Sequence, residues 1–219
     1  MISKPRHAAL AVCCALVGCA VSGPTSDKSA LLPTLCGEEW YIVSVGGQKA
    51  GYAFMRNSLD KAADGEQVFV AYEEVALKLQ TPLLPQPISA KTILQVWHDS
   101  DLVPRKYSLV ADEIGRKRTV EAVRDGRQII AKTTVAGATT EKRLSIGDSF
   151  GAEVELAARA AEGQLQPGDE FQFQVFNPQI CDLDEMVVKV NKQSTARVEG
   201  EQRTVFHLTM ASKKLGVTT

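Results

Sequence analysis

The sequence predicts a mainly β fold: a strongly curved, half-barrel-like antiparallel meander with one main helix near residues 149–163. Apolar and polar residues alternate with period two along most of the chain, the mark of half-buried strands. Short Gly-Gly, Asp-Gly or single-Gly breaks separate these runs, as hairpin turns require. Only one segment carries the three-to-four spacing of a helix. About a dozen strands in one domain of roughly 180 residues cannot stay flat, so the sheet is expected to curl around the helix or an apolar groove.

The N-terminus sets the compartment. Residues 1–18 read as an export signal, with Lys4 and Arg6 ahead of an apolar run from Ala8 to Val17. The run is shorter than the ~20 apolar residues needed to span a bilayer. Leu16-Val17-Gly18-Cys19 resembles a bacterial lipobox, which implies that the Cys19 thiol receives diacylglycerol and that the mature chain starts there. An ordinary signal cut after Ala20 or Gly23 is the alternative. With more than one acyl chain, and about 0.8 kcal/mol for each buried methylene, the lipid anchors the protein without spanning. Ala20 at the next position resembles the pattern of lipoproteins sent to the outer membrane, which implies a periplasmic location on that membrane.

Residues 19–37 are small, polar and proline-bearing, a tether. Residues 38–219 form the single β-rich domain. WYIVSVGGQKAGYAFM predicts two strands joined at Gly46-Gly47, and a long strand follows the Asp64-Gly65 turn. In that strand the apolar positions change parity, from Val68, Val70 and Tyr72 to Val75, Leu77 and Leu79, which predicts a bulge or a sharp bend near Glu73-Glu74. TPLLPQP breaks the ladder. Strands are then expected over 89–98, 103–110, 116–123, 128–135 and 139–144. The helix follows from Ser149, its expected N-cap, to Gly163. The last strands are expected over 170–176, 185–191, 195–199 and 203–211. HLTMASKKLGVTT is still alternating at Thr219, so the domain is expected to continue past it.

Composition excludes some functions. Lys4 and Arg6 leave with the signal, so fewer than the encoded 25 basic residues face 26 acidic ones, and no nucleic-acid surface is expected. Of five cysteines, Cys13 and Cys14 also leave and Cys19 takes lipid. Cys36 and Cys181 remain, either paired in a disulfide that stabilises the fold by roughly 4–5 kcal/mol or kept as two separate buried thiols. Cys181 with His207 is the single nucleophile–base arrangement to weigh, but Cys181 sits in a loop with no helix N-terminus to activate it. His98 and His207 are both expected to be dispensable, His98 lying nearer the core. Asp99-Ser100-Asp101 and Asp182-Leu183-Asp184-Glu185 lack the length and glycine placement of a calcium loop, so no metal and no cofactor are expected. The basic run Ile114–Arg118 reads as a solvated strand face.

Three stretches carry a family resemblance: Gly47-Gln48-Lys49-Ala50-Gly51-Tyr52 after an aromatic strand, LQPGDEFQFQVFNP over 165–178, and VEGEQRTVFHL over 198–208. Together they resemble the β-rich N-terminal region of exported bacterial proteins that carry a transglutaminase-like domain. No Cys…His…Asp arrangement of such an enzyme is present, so no catalytic residue carries over. The resemblance implies a non-catalytic module that scaffolds or positions an envelope partner or a C-terminal transglutaminase-like domain. The alternative is a periplasmic carrier of lipid or another apolar ligand, with Phe171, Phe173 and Val175 lining its groove.

Overall fold

A computed structural model describes residues 35–218 except 46–47, 63–64, 80–86, 152–155, 157–158, 161–162 and 199–200. The export signal, Cys19, most of the tether, the Gly46-Gly47 turn and nearly all of TPLLPQP lie outside the described residues. Of the expected helix, Leu156, Arg159 and Ala160 are helical, and Gly163 ends the turn at φ 68° as expected. Its expected start is corrected: Ser149 lies in a turn and caps no helix, because Phe150 forms a β-bridge to Gln174 and Gly151 takes φ 79°, while 152–155, 157–158 and 161–162 lie outside the described residues.

Eight strands form an open antiparallel meander in sequence order: β1 (Gly37–Val45), β2 (Gln48–Lys61), β3 (Gln67–Leu79), β4 (Ile88–His98), β5 (Pro104–Glu113), β6 (Arg116–Asp125), β7 (Gln128–Val135) and β8 (Ala138–Ser145). A second sheet contains β9 (Glu170–Asn177), β10 (Asp182–Val198), β11 (Glu201–Ser212) and β12 (Val217–Thr218), in the order β12-β11-β10-β9. The meander follows from the turns. Asp125-Gly126 and Ala136-Gly137 supply the positive φ that tight hairpins need, with Gly126 at 54° and Gly137 at 84°. Gly51 answers a different constraint: a Cβ there would lie 1.9 Å from the Ala76 carbonyl oxygen, so only glycine lets β2 approach β3.

Two expectations for the strands need correcting. The bulge at Glu73-Glu74 does not exist, because β3 pairs in unbroken register with β2 and β4 through both residues. The parity change has another cause. Val68, Phe69 and Val70 are all buried, so the start of β3 is covered on both faces, and Glu73 then takes an inward position where an apolar residue was expected. The strands expected over 185–191 and 195–199 are one strand, β10, which absorbs Asn191 as a bulge between the Val190–Leu208 and Lys192–His207 pairs. Asn191 satisfies its side chain on the Thr209 hydroxyl at 2.7 Å.

The main core fills the concave face of the meander. Val96, Tyr107, Leu109, Val120, Ala122, Ile129 and Ala131, from β4 to β7, close over Phe176 at the end of β9, with Cys181 and Leu183 packed alongside. Phe176 meets Tyr107 edge-on, with ring centroids 5.0 Å apart. Leu35, Phe69 and Leu102 form a second cluster beside it. Phe173, Met186 and Val188 form a third, joined by Leu156, Phe171 and Met210.

Truncating Phe176 to Ala is expected to cost about 3–5 kcal/mol in urea unfolding, the range for a buried phenylalanine. A loss below about 1 kcal/mol would mean that the β9–β10 hairpin is not docked in the sheet.

Candidate functional site

The turn from Asn177 to Asp182 carries the polar contacts between the sheets. Arg118 donates to the Gln179 carbonyl at 2.6 Å, and Lys142 donates to the Cys181 carbonyl at 3.3 Å. The Thr133 hydroxyl donates to Cys181 Sγ at 3.2 Å. Cys181 itself sits at φ 49°, a left-handed conformation in which a branched side chain would be strained. The basic run 114–118 is therefore split. Ile114 and Gly115 make the β5–β6 turn, Arg118 clamps the hairpin, and Arg116 and Lys117 line a shallow open depression beside Ala136 and Gly137.

The acidic motifs are also structural pins. Asp99 accepts from the backbone N–H of Asp101 and Val103, at 3.1 and 2.9 Å, and from Arg124 at 2.9 Å. Asp182 is held to about 2 by hydrogen bonds from Lys214 and then Lys142. Buried Asp184 accepts from the Ser212 hydroxyl at 2.5 Å and the Lys214 N–H at 3.1 Å. Glu185 is bonded by Lys213 and by Gln172. Among the described residues, no three His, Cys, Asp or Glu side chains converge as a metal site would need.

Cys36 and Cys181 are not bonded to each other, so of the two expected arrangements the separate thiols stand, with Cys36 exposed and not buried and Cys181 half-buried. Cys36 lies against the backbone of Leu59 on β2, whereas Cys181 lies on Thr133 of β7. Those strands stand five positions apart in the sheet, about 24 Å measured around it. Cys181 and His207 do not meet either. His207 pairs with Lys192, ten residues beyond the start of β10, more than about 30 Å along the strand, and its ring bonds the Ser194 hydroxyl at 2.9 Å. His98 departs from a surface role: it is packed edge-on to Phe69 at 5.6 Å, and its Nδ1 is buried without a partner. Phe173 is buried in its own sheet's core, with Phe171 and Val175 packed against it.

Glu73 and Glu74 are the groups that sequence reasoning missed. Glu73 points into the concave face and lines a cavity of about 10 Å³ with Val75, Thr92, Leu94 and Gln179, room for about one water. Its Oε2 is buried without a partner, and burial pushes the carboxyl up to about 7. Glu74, on the convex face, does the opposite. It accepts from Tyr52 at 2.6 Å, from Tyr72 at 2.9 Å and from Lys91 at 2.9 Å, and these bonds, Tyr52's first, lower its carboxyl. The signal was in the sequence: two adjacent carboxylates on one strand must face opposite ways, so one of them had to be inside.

Glu74 anchors an aromatic row across three strands. Trp40 of β1 stacks obliquely on Phe54 of β2 at 4.5 Å and meets Tyr52 at 5.6 Å. Phe54 meets Tyr72 of β3 at 6.0 Å, and Arg56 lies over the Tyr72 ring at 5.5 Å. Each aromatic pair is worth about 0.5–1.5 kcal/mol beyond its buried area. Lys91 is half-exposed, so its ion pair adds at most about 1 kcal/mol.

Two outcomes are expected. Glu73 keeps its proton in the folded chain up to about pH 7, while an unfolded glutamate loses it near 4.3, so its contribution to stability falls as pH rises between those values. Burial lowers His98 to about 4 against an unfolded value near 6.5, so its contribution rises with pH over that window and the two slopes oppose. In urea titrations, the stability of Glu73→Gln relative to the parent should grow by roughly 3 kcal/mol from pH 4 to 8. An unchanging difference would show that Glu73 is not held protonated. Native, unreduced protein should also alkylate at both Cys36 and Cys181, Cys36 faster because it is exposed. A linked peptide on a non-reducing map would restore the disulfide.

No protein-family model matches the chain, and no curated protein sequence does. Its fold is similar to that of a crystal structure of a β-barrel-like protein of a domain of unknown function, DUF1849, from Brucella abortus. That match has a TM-score of 0.55 at 12% identity and covers 83% of this chain and 87% of the other. At that identity the likeness is one of fold: an antiparallel, barrel-like β architecture, here left open between β1 and β8.

Proposed function

We propose that the chain is a lipid-anchored, extracytoplasmic, non-catalytic module that positions a partner at the bacterial cell envelope, on the periplasmic face of the outer membrane. The partner is an envelope protein or a transglutaminase-like domain following in the same protein. The observation that carries this reading is where the apolar surface lies. Trp40 and Ile42 are exposed on β1, directly after the tether, while the concave face that a carrier would use for its ligand is occupied by Phe176, Cys181 and Leu183 of the chain itself. The Leu16–Cys19 box supports the anchor, and the resemblance of residues 47–52, 165–178 and 198–208 supports the family context.

Replacing Cys19 with Ala is expected to move the protein from the membrane pellet to the soluble fraction or to leave an uncleaved precursor. The mature mass should lack the diacylglycerol. Unchanged detergent partitioning and mass would overturn the anchor.

A further inference from the structure

The two edges of the eight-stranded sheet are built differently. β8 reads ATTEKRLS, exposed along nearly its whole length. Its Glu141, Lys142 and Arg143 discourage a further strand from adding. β1 reads GEEWYIVSV, and among the described residues its outer edge pairs with no strand. Its centre exposes Trp40 at 67%, Tyr41 at 41% and Ile42 at 70%. The register shift between β1 and β2 skips Ala50, so the extra residue belongs to β2 and β1 itself is regular. A regular nine-residue edge with an apolar centre is the kind to which another strand adds through main-chain hydrogen bonds.

We infer that β1 pairs with β1 of a second copy of this chain, antiparallel about Tyr41, joining two eight-stranded sheets into one. The strand's own pattern selects this occupant. Antiparallel pairing with full nine-residue overlap sets Tyr41 opposite Tyr41, Trp40 opposite Ile42, Glu39 opposite Val43 and Glu38 opposite Ser44. Opposite residues share a face, so Trp40 and Ile42 of both copies form one apolar strip on the convex side, continuous with Phe54 and Tyr52 of each. No carboxylate faces another. An in-register parallel pairing would instead set Glu38 and Glu39 against their own copies, which like charges oppose. The contact is isologous and closes as a dimer, consuming the one apolar edge each sheet exposes. The inference takes the contact-module reading and names its partner, and it does not depend on the lipid anchor.

The test uses the full chain, exported and purified in detergent, with Cys36→Ser and Cys181→Ser. Mild oxidation should give covalent dimer from Tyr41→Cys about tenfold more readily than from Ser44→Cys, because opposite Cβ atoms lie about 4.5–5.5 Å apart, near disulfide range. Ser44 lies three residues from the centre in each copy, about 20 Å from its counterpart. Without added cysteines, light scattering should give twice the mass of one chain. Ile42→Lys should return it to one chain's mass with an unchanged circular dichroism spectrum, since an exposed side chain carries little of the fold. A monomeric parent, equal cross-linking at 41 and 44, or a dimer that survives Ile42→Lys overturns the pairing. A blue shift of Trp40 emission on phosphatidylglycerol vesicles, with the mass of one chain throughout, also overturns it and gives the strip to lipid. Cys19→Ala protein that stays on membranes as a dimer sinks the anchor and leaves the pairing standing.

Discussion

The docking of the β9–β10 hairpin into the meander is the contact on which the rest of the molecule depends. An eight-stranded antiparallel sheet has two faces, and an apolar face left open to water loses the burial that offsets the entropy of ordering its strands. Phe176, Cys181 and Leu183 supply the missing layer over Leu109, Val120 and Ile129. Arg118 and Lys142 reach from the rim of the sheet to the carbonyls of the same turn, so backbone oxygens carried inward by the hairpin are not left unbonded. The position of the second sheet, and of its own core around Phe173, Met186 and Val188, follows from that one insertion.

The docking also explains why an ionisable group sits inside. Once the hairpin covers the concave face, Glu73 on β3 is shut off from water beside Gln179, and burial pushes its carboxyl up to about 7, whereas His98 on β4 is buried separately against Phe69. The neighbour of Glu73 on the same strand, Glu74, remains ionised a few ångströms away because three donors meet it on the outside. A single strand thus separates a carboxyl governed by desolvation from one governed by hydrogen bonds.

Much of this architecture was legible in the sequence, for a local reason: period two and turn residues act within a hairpin, and nearly every pairing here is between neighbours in the chain. The hairpin at Asp125-Gly126 and the strand over 128–135 could be placed to the residue on that basis. What stayed hidden was long-range. That Cys181 would meet Thr133 and not Cys36 depends on how far the sheet curls and on which face receives the hairpin, which no local pattern encodes. Glu73 misled for a related reason, since an inward carboxylate in an alternating strand reads as a slipped register unless the unbroken pairing on both sides is known. The aromatic row was missed because Trp40, Phe54 and Tyr72 lie on three different strands and become neighbours only across the ladder. For the candidate site, then, the residue types were visible and their company was not.

The order of the chain gives the hairpin insertion a consequence in time. Contacts within the meander join neighbouring strands and can form as soon as each hairpin is made, whereas Phe176 must meet residues as early as Val96. A chain made from its N-terminus therefore completes all eight strands of the first sheet while the segment that will cover them does not yet exist. During that interval Leu109, Val120 and Ile129 lie open on the face of a formed sheet that also leaves the outer edge of β1 open. This is the span in which the nascent protein is most exposed to wrong pairing, and it closes when Leu183 arrives.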